Sequence, residues 1–263
     1  MNAIYPLFSS SKGNSVFIGN SHRGILIDCG VSCKRLDAAM KRNGLDMSAV
    51  KAVFITHDHS DHIKGLPVLT KKYSLDVYSQ GGTLRKLIRE NYILQNSQAL
   101  EIDISAELFD MKVTAFDTPH DSEQSCGYRV DFEDGSSCAV CTDLGCVTES
   151  VKKAINGAGT VLLEANYDDD MMMFGSYPKY LKQRIFSERG HLSNYASAEQ
   201  ALKLLENGTR NIILGHLSQE NNTPELAEKT VCDRLDGFVR NRDYTLQVAK
   251  PETTGEMAVI ERV

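Results

Sequence analysis

A five-residue apolar run, Ala52–Thr56, leads directly into His57-Asp58-His59-Ser60-Asp61-His62. This junction restricts the fold more than any other feature of the chain. A buried strand that ends in imidazoles and carboxylates must deliver them where ligands can reach. In α/β sheets that place is the carboxyl end of the strands, where the connecting loops converge. Imidazole nitrogen with carboxylate oxygen suits zinc, manganese or iron, whereas magnesium and calcium favour all-oxygen sites. In a loop, His57 and His59 can turn toward one ion while Asp61 and His62 turn toward a second. The plainer alternative is a polar loop with chance histidines. Four ligand-type side chains within six residues, straight after an apolar strand, weigh against it.

The flanking sequence supports an α/β reading. Ser15–Gly19 and Gly24–Cys29 read as paired strands around the polar turn Asn20-Ser21-His22-Arg23. Ser32 caps a helix that runs to Asn43 and stops at Gly44. A helix over Ile63–Tyr73, a strand at Leu75–Tyr78 and a helix over Gly82–Asn91 follow. Three strands come next, Met111–Phe116, Gly127–Phe132 and Ser137–Cys141, the last two joined by a hairpin at Glu133–Ser136. Helices over Thr148–Asn156, Ser193–Glu206 and Thr223–Asp236 then alternate with strands Thr160–Glu164 and Asn211–Leu214. Two terminal strands, Tyr244–Ala249 and Glu256–Ile260, complete the pattern. Two strand-rich halves, each with helices for one outer face, predict an α/β fold, a four-layer αβ/βα sandwich. With no repeat, low-complexity tract or long linker, residues 1–263 read as one continuous domain.

Composition narrows the function classes. The formal net charge of −6 argues against a generally basic surface for nucleic acid. It leaves room for a local basic groove, or for metal ions that attract a phosphate themselves. No apolar run approaches the ~20 residues of a membrane span, and the N-terminal residues lack a secretory pattern. Seven cysteines (29, 33, 126, 138, 141, 146 and 232) without an export signal read as packed, reduced thiols. A cytoplasmic protein without a membrane partner is expected.

Of the seven histidines, three lie in the 57–62 run, and His120, His191 and His216 each follow a strand candidate or open a helix. His22 reads as a solvent-facing turn residue. The run Thr56–His62 resembles the signature loop of the metallo-β-lactamase-fold hydrolases, and the rest of that superfamily's motifs match in chain order. Asp28 matches the early aspartate that orients a ligand. His120, in Thr118-Pro119-His120-Asp121, matches the third-motif histidine. Asp143, in Thr142-Asp143-Leu144-Gly145, matches the carboxylate that bridges two ions, and His216 matches the final ligand. The resemblance implies two divalent ions, Zn²⁺ or Mn²⁺. One is held by His57, His59, His120 and Asp143, the other by Asp61, His62, Asp143 and His216.

Aspartate at 143, where true zinc β-lactamases carry cysteine, argues against antibiotic hydrolysis. His216 follows Asp143 by 73 residues, too few for the large inserted domain of ribonuclease J-like nucleases. Four runs are similar to the YycJ/WalJ-like branch and its PhnP-related phosphodiesterases. These are Ser9–Asn14, His57–Gly65, Glu164–Asp168 and Arg189–Asn194. The resemblance implies phosphodiester hydrolysis, possible substrates being DNA ends attacked 5′-to-3′, with Asp61 and Asp143 essential. It also gives His191 a role as phosphoryl contact or general acid, and makes Asn14 and Asn194 candidate substrate contacts. Lys179, Lys182, Arg184 and Arg189, with Tyr177 and Tyr180 interleaved, read either as a strand-tracking surface or as a solvated helix face; the same holds for Arg85, Lys86 and Arg89. The same ligand set also serves acyl hydrolases such as glyoxalase II, acting on thioesters or lactones. A metal-stabilised binding protein without turnover is the third reading.

Overall fold

The computed structural model describes residues 1–94 and 97–263, which group into two compact units. The first comprises Met1–Ala106, Ser122–Cys126 and Ala249–Val259. In it, β1 (Ala3–Phe8), β2 (Ser15–Gly19), β3 (Gly24–Ile27), α1 (Cys33–Arg42), β4 (Val50–Phe54), α2 (Ser60–Ile63), α3 (Leu66–Tyr73), β5 (Asp76–Ser79), α4 (Gly81–Arg89) and β6 (Ala99–Glu101) follow one another. Strands β1 to β6 lie side by side in chain order, and the last strand of the chain, Ala258–Val259, adds to the outer side of β1. β1, β2 and β3 pair antiparallel, while β3 to β6 pair parallel. Gly24-Ile25-Leu26-Ile27 is buried along its whole length, the continuous pattern of a strand covered on both faces.

Leu36, Ala39 and Met40 of α1 pack with Leu66 and Leu69 of α3 against Leu26, Val53 and Val77. Each fully buried leucine stabilises the unit by about 1.5–3 kcal/mol. Ser32 caps α1 by accepting from the Arg35 N–H, and Gly44 turns the chain away at φ +68°. The single helix expected over 63–73 is two helices. Gly65 donates its N–H to the Cys29 carbonyl and passes so close to the Val31 carbonyl that a Cβ would lie 2.0 Å from that oxygen. This tertiary contact breaks the helix, and Pro67 starts the next one without needing its missing N–H. β1 was not foreseen, because Pro6 interrupts its donor pattern.

The second unit comprises Glu107–Asp121, Gly127–Val248 and Ile260–Val263. Its sheet has seven strands, which lie side by side in the order of the chain. The strands are β7 (Ser105–Leu108), β8 (Met111–Asp117), β9 (Cys126–Phe132), β10 (Ser137–Cys141), β11 (Thr160–Glu164), β12 (Asn211–Gly215) and β13 (Thr245–Val248). β10 to β13 are parallel, and β9 pairs antiparallel with β10 through the expected hairpin, with Gly135 at φ +84°. The helices are α5 (Glu149–Ile155), α6 (Asp169–Phe174), α7 (Lys179–Ile185), α8 (Asn194–Glu206) and α9 (Pro224–Arg234). Thr148, Ser193 and Thr223 cap α5, α8 and α9 with side-chain oxygens. The short α6 and α7 form an excursion between β11 and α8 that the sequence did not announce. All seven cysteines are free thiols, five of them buried. Among the described residues, no helix is long and apolar enough to cross a membrane.

Candidate metal centre

In each unit the chemistry-bearing residues sit at or just beyond the carboxyl ends of parallel strands. In the first unit, Asp28 follows β3, and the His57–His62 run follows β4 after two further buried residues. Asp28 adopts φ +62°, a left-handed conformation that turns its carboxylate back across the strand ends. Its Oδ1 accepts from the Thr56 N–H at 2.8 Å, and its Oδ2 accepts from the Thr56 hydroxyl at 2.8 Å and from His62 Nδ1 at 2.7 Å. A carboxylate only accepts, so the His62 proton sits on Nδ1 and Nε2 keeps a lone pair. The Thr56 hydroxyl has spent its proton on Asp28 and therefore accepts from His57 Nδ1, 3.0 Å away. His57 is likewise left with Nε2 as its donor atom for a metal.

Asp61 and His59 complete this group. The His57 and His59 rings meet edge-on at 4.6 Å between centroids, and Asp61 Oδ2 lies 3.5 Å from His62 Nε2. Asn14 ties the run to the Ser9–Asn14 turn. Its amide nitrogen is 3.2 Å from Asp61 Oδ2 and 3.0 Å from His62 Nε2, and its backbone N–H donates to the Asp61 carbonyl. Asp58 faces elsewhere: its carboxylate bonds the Lys86 ammonium and accepts from the Glu123 N–H. Burial alone would raise the Asp58 carboxyl; these two donors hold it below its ordinary range.

The second unit gathers His120, Asp143, Glu164, His191 and His216. Asp143 at φ +58° and His216 at φ +56° repeat the left-handed turn of Asp28, at the ends of β10 and β12. Left-handed backbone is costly for such residues and collects at functional sites. Asp143, Glu164, His191 and His216 each place one possible ligand atom within 4.8 Å of the others. Glu164, wholly buried at the end of β11, is the hub. Its Oε1 accepts from His191 Nδ1 at 2.8 Å and from His216 Nδ1 at 2.7 Å. Its Oε2 accepts from the backbone N–H groups of Leu144 and Leu192, each at 3.1 Å. Burial pushes the Glu164 carboxyl up, but His191, then His216, outweigh it and hold the group far below the carboxylate range. His120 Nδ1 is held in the same way, donating to the Gly190 carbonyl at 3.0 Å. Asp143 Oδ1 lies 3.8 Å from His120 Nε2 and 3.4 Å from His216 Nδ1.

This donor set fits divalent metals. His57, His62, His120 and His216 each have Nδ1 engaged by a protein acceptor, which fixes tautomer and ring orientation and makes the Nε2 lone pair the one that could bind metal; on His62 that lone pair is met by the Asn14 amide at 3.0 Å. Glu164 was not among the candidate residues read from sequence; a carboxylate closing the apolar strand Thr160-Val161-Leu162-Leu163 was the signal that could have found it. Asn194 is buried and exchanges amide hydrogen bonds with Asn222 at 2.9 and 2.8 Å. Among the basic residues, Lys182 donates to the Met173 and Gly175 carbonyls, Arg184 pairs with Asp121, and Arg189 donates to the His120 carbonyl.

Residues 23–217 match the family described as the beta-lactamase superfamily domain. Over 233 residues the chain is 36% identical to the exodeoxyribonuclease WalJ of Streptococcus pneumoniae serotype 2, covering 87% of this chain and 86% of that protein. The chain belongs to the metallo-β-lactamase-fold hydrolases. Within this superfamily it falls in the WalJ/YycJ-like branch, since it is also 33% identical to the exodeoxyribonuclease YycJ of Bacillus anthracis over 94% of both chains. The metallo-β-lactamase-fold protein YhfI of Bacillus subtilis superposes with a TM-score of 0.72 at 13% identity, over 96% of this chain and 98% of that one. The fold class expected from sequence is the one observed. Membership makes the chain a metal-dependent hydrolase, and the histidine–aspartate groups above could hold a divalent metal ion.

Proposed function

We propose that the chain, acting as one domain over residues 1–263, is a cytoplasmic phosphodiesterase that degrades DNA from an end, in the 5′-to-3′ direction, with two Zn²⁺ or Mn²⁺ ions. By the motif match, His57, His59, His120 and Asp143 would hold one ion, and Asp61, His62, Asp143 and His216 the other. Bound ions would supply a water acidified to roughly pKa 7 and offset charge on the phosphoryl oxygens.

The observation that carries the phosphodiester reading is the His191–Glu164 pair. His191 has a side chain 17% exposed, against 1% for His120 and 3% for His216. It is the histidine of this group that a substrate can reach. Glu164 holds its Nδ1–H and leaves Nε2 to carry a second proton. As the P–O bond breaks, the departing alkoxide takes that proton, and His191 returns to its neutral form with Nδ1–H still on Glu164. An alkoxide is a poor leaving group that needs such a donor, whereas a thiolate leaves without one. A thioesterase would give the His191 proton no task; a lactonase would use it, and against that reading stand the two exodeoxyribonuclease relatives. The names of the two relatives support DNA as substrate, and the negative charge of the chain leaves phosphate attraction to the ions and to local cations.

The test is digestion of DNA labelled at either the 5′ or the 3′ end by protein stripped of metal and reloaded with Mn²⁺ or Zn²⁺. Mononucleotides released from the 5′ label first, only with metal restored, are the expected result. Release from the 3′ label first would reverse the polarity, and intact DNA with either metal would remove the nuclease reading.

A further inference from the structure

The α6–α7 excursion leaves the sheet just after Glu164 and returns at His191, so it borders the pair assigned to proton transfer. It carries large apolar side chains into solvent. Phe174 is 82% exposed, Tyr180 73% and Met173 60%. These rings do not sit on a loose loop. Tyr167, Met172 and Ile185 form a small buried core beneath the excursion, with Tyr177 and Leu181 packed against it. Asp168 caps α6, and the Lys182 ammonium donates to the Met173 and Gly175 carbonyls at 2.7 Å each, tying α7 to the end of α6. Gly175 passes so close to Asn221 that a Cβ would lie 2.4 Å from its Oδ1. Phe186 packs edge-on against Tyr167 at 5.3 Å.

Holding a phenyl and a phenol ring out of the core forgoes their burial, which points to an occupant. The charge on the returning half narrows the choice. In a chain of net charge −6, residues 177–189 carry Lys179, Lys182, Arg184 and Arg189; with Arg184 matched by Asp121, Lys179, Lys182 and Arg189 stand against Glu188. Exposed rings beside clustered cations match a single nucleic acid strand, whose bases stack on aromatic faces while its phosphates meet the positive charge. A hydrophobic partner protein would gain nothing from those cations, and a lipid surface would require a longer apolar face.

We propose that Phe174 and Tyr180 form a stacking platform for the unpaired bases of the strand running into the active site, with Lys179, Lys182 and Arg189 along its phosphates. The proposal rests on the phosphodiesterase reading and specifies its substrate as single-stranded nucleic acid next to the cleaved bond.

The test compares the wild-type protein with Phe174→Ala/Tyr180→Ala and with Phe174→Trp. Binding is read by the fluorescence of a single-stranded oligonucleotide containing 2-aminopurine, and hydrolysis is read separately on bis-(p-nitrophenyl) phosphate. The double alanine variant is expected to bind the oligonucleotide about 5- to 100-fold more weakly, the range for losing base–aromatic stacking. Its rate on bis-(p-nitrophenyl) phosphate should stay within twofold of wild type, and Phe174→Trp should retain affinity. Unchanged oligonucleotide binding in the double variant would overturn the platform. So would a wild-type dimer, seen by light scattering, that the double variant alone fails to form, since the rings would then face a second copy. A wild-type protein that binds the oligonucleotide through these rings yet leaves it uncut would support the platform and sink the nuclease reading instead.

Discussion

At the residue scale, the recurring device is a histidine whose Nδ1–H is taken by a fixed acceptor: Asp28 for His62, Thr56 for His57, Gly190 for His120 and Glu164 for His216. Glu164 serves His191 as well, and this separates two variants. His191→Ala should keep its metal content by mass spectrometry but slow phosphodiester turnover by about 10²–10⁴-fold. Glu164→Ala should lose both, because removing an outer partner typically costs about 10–100-fold in metal affinity. A His191→Ala protein with full activity on every phosphodiester it cleaves would remove the assigned role. The histidines and Asp143 were legible from their motifs. Glu164 opened one of the four family-like runs, but its role did not show, because its partners Leu144, His191, Leu192 and His216 are all 20 or more positions away in the chain.

Elements fix these residues by close backbone approach. Gly30 follows β3 and Asp28, and a Cβ there would fall 1.6 Å from the Asp61 carbonyl oxygen and 2.6 Å from the Asn14 nitrogen. Gly30→Ala is therefore expected to push α2 aside, lower the melting temperature and reduce metal retention; a variant that melts and loads like wild type would contradict this packing. The segment 249–259 carries a local ion pair between Lys250 and Glu256. Burial alone would raise the Glu256 carboxyl, but Lys250, the Thr254 hydroxyl and backbone N–H groups hold it at about 2, below its ordinary 4.5. A carboxyl depressed on folding stabilises the native state above its unfolded pKa and loses that contribution as pH falls through the folded value. Melting temperatures of Glu256→Gln and wild type should thus differ at pH 7 and converge between pH 4.5 and 2. Strand and helix positions were mostly readable because each rests on its own apolar period or cap. The break at Gly65 was not, because it is imposed by Val31, which lies 34 positions away.

At the scale of the whole molecule, the proposed two-ion site would make metal part of the stability as well as the chemistry. Chelation should lower the melting temperature, since metal at a hundred times its Kd contributes about 2.7 kcal/mol per site. Mass spectrometry of the reloaded protein should find two ions per chain; one ion at full activity would contradict the bridging role of Asp143. The superfamily could be read from the order of five short motifs spread over most of the chain. The α6–α7 excursion could not, because its two short helices bury only Met172 and Ile185 and have too little periodicity to stand out. The most direct test of the central claim sets bis-(p-nitrophenyl) phosphate and end-labelled DNA against thioester and lactone substrates, using metal-free protein reloaded with Mn²⁺ or Zn²⁺. Metal-dependent cleavage of both phosphodiesters, with the acyl substrates left intact, is the predicted result. Turnover of a thioester or lactone by a metal-loaded protein that spares both phosphodiesters would contradict it.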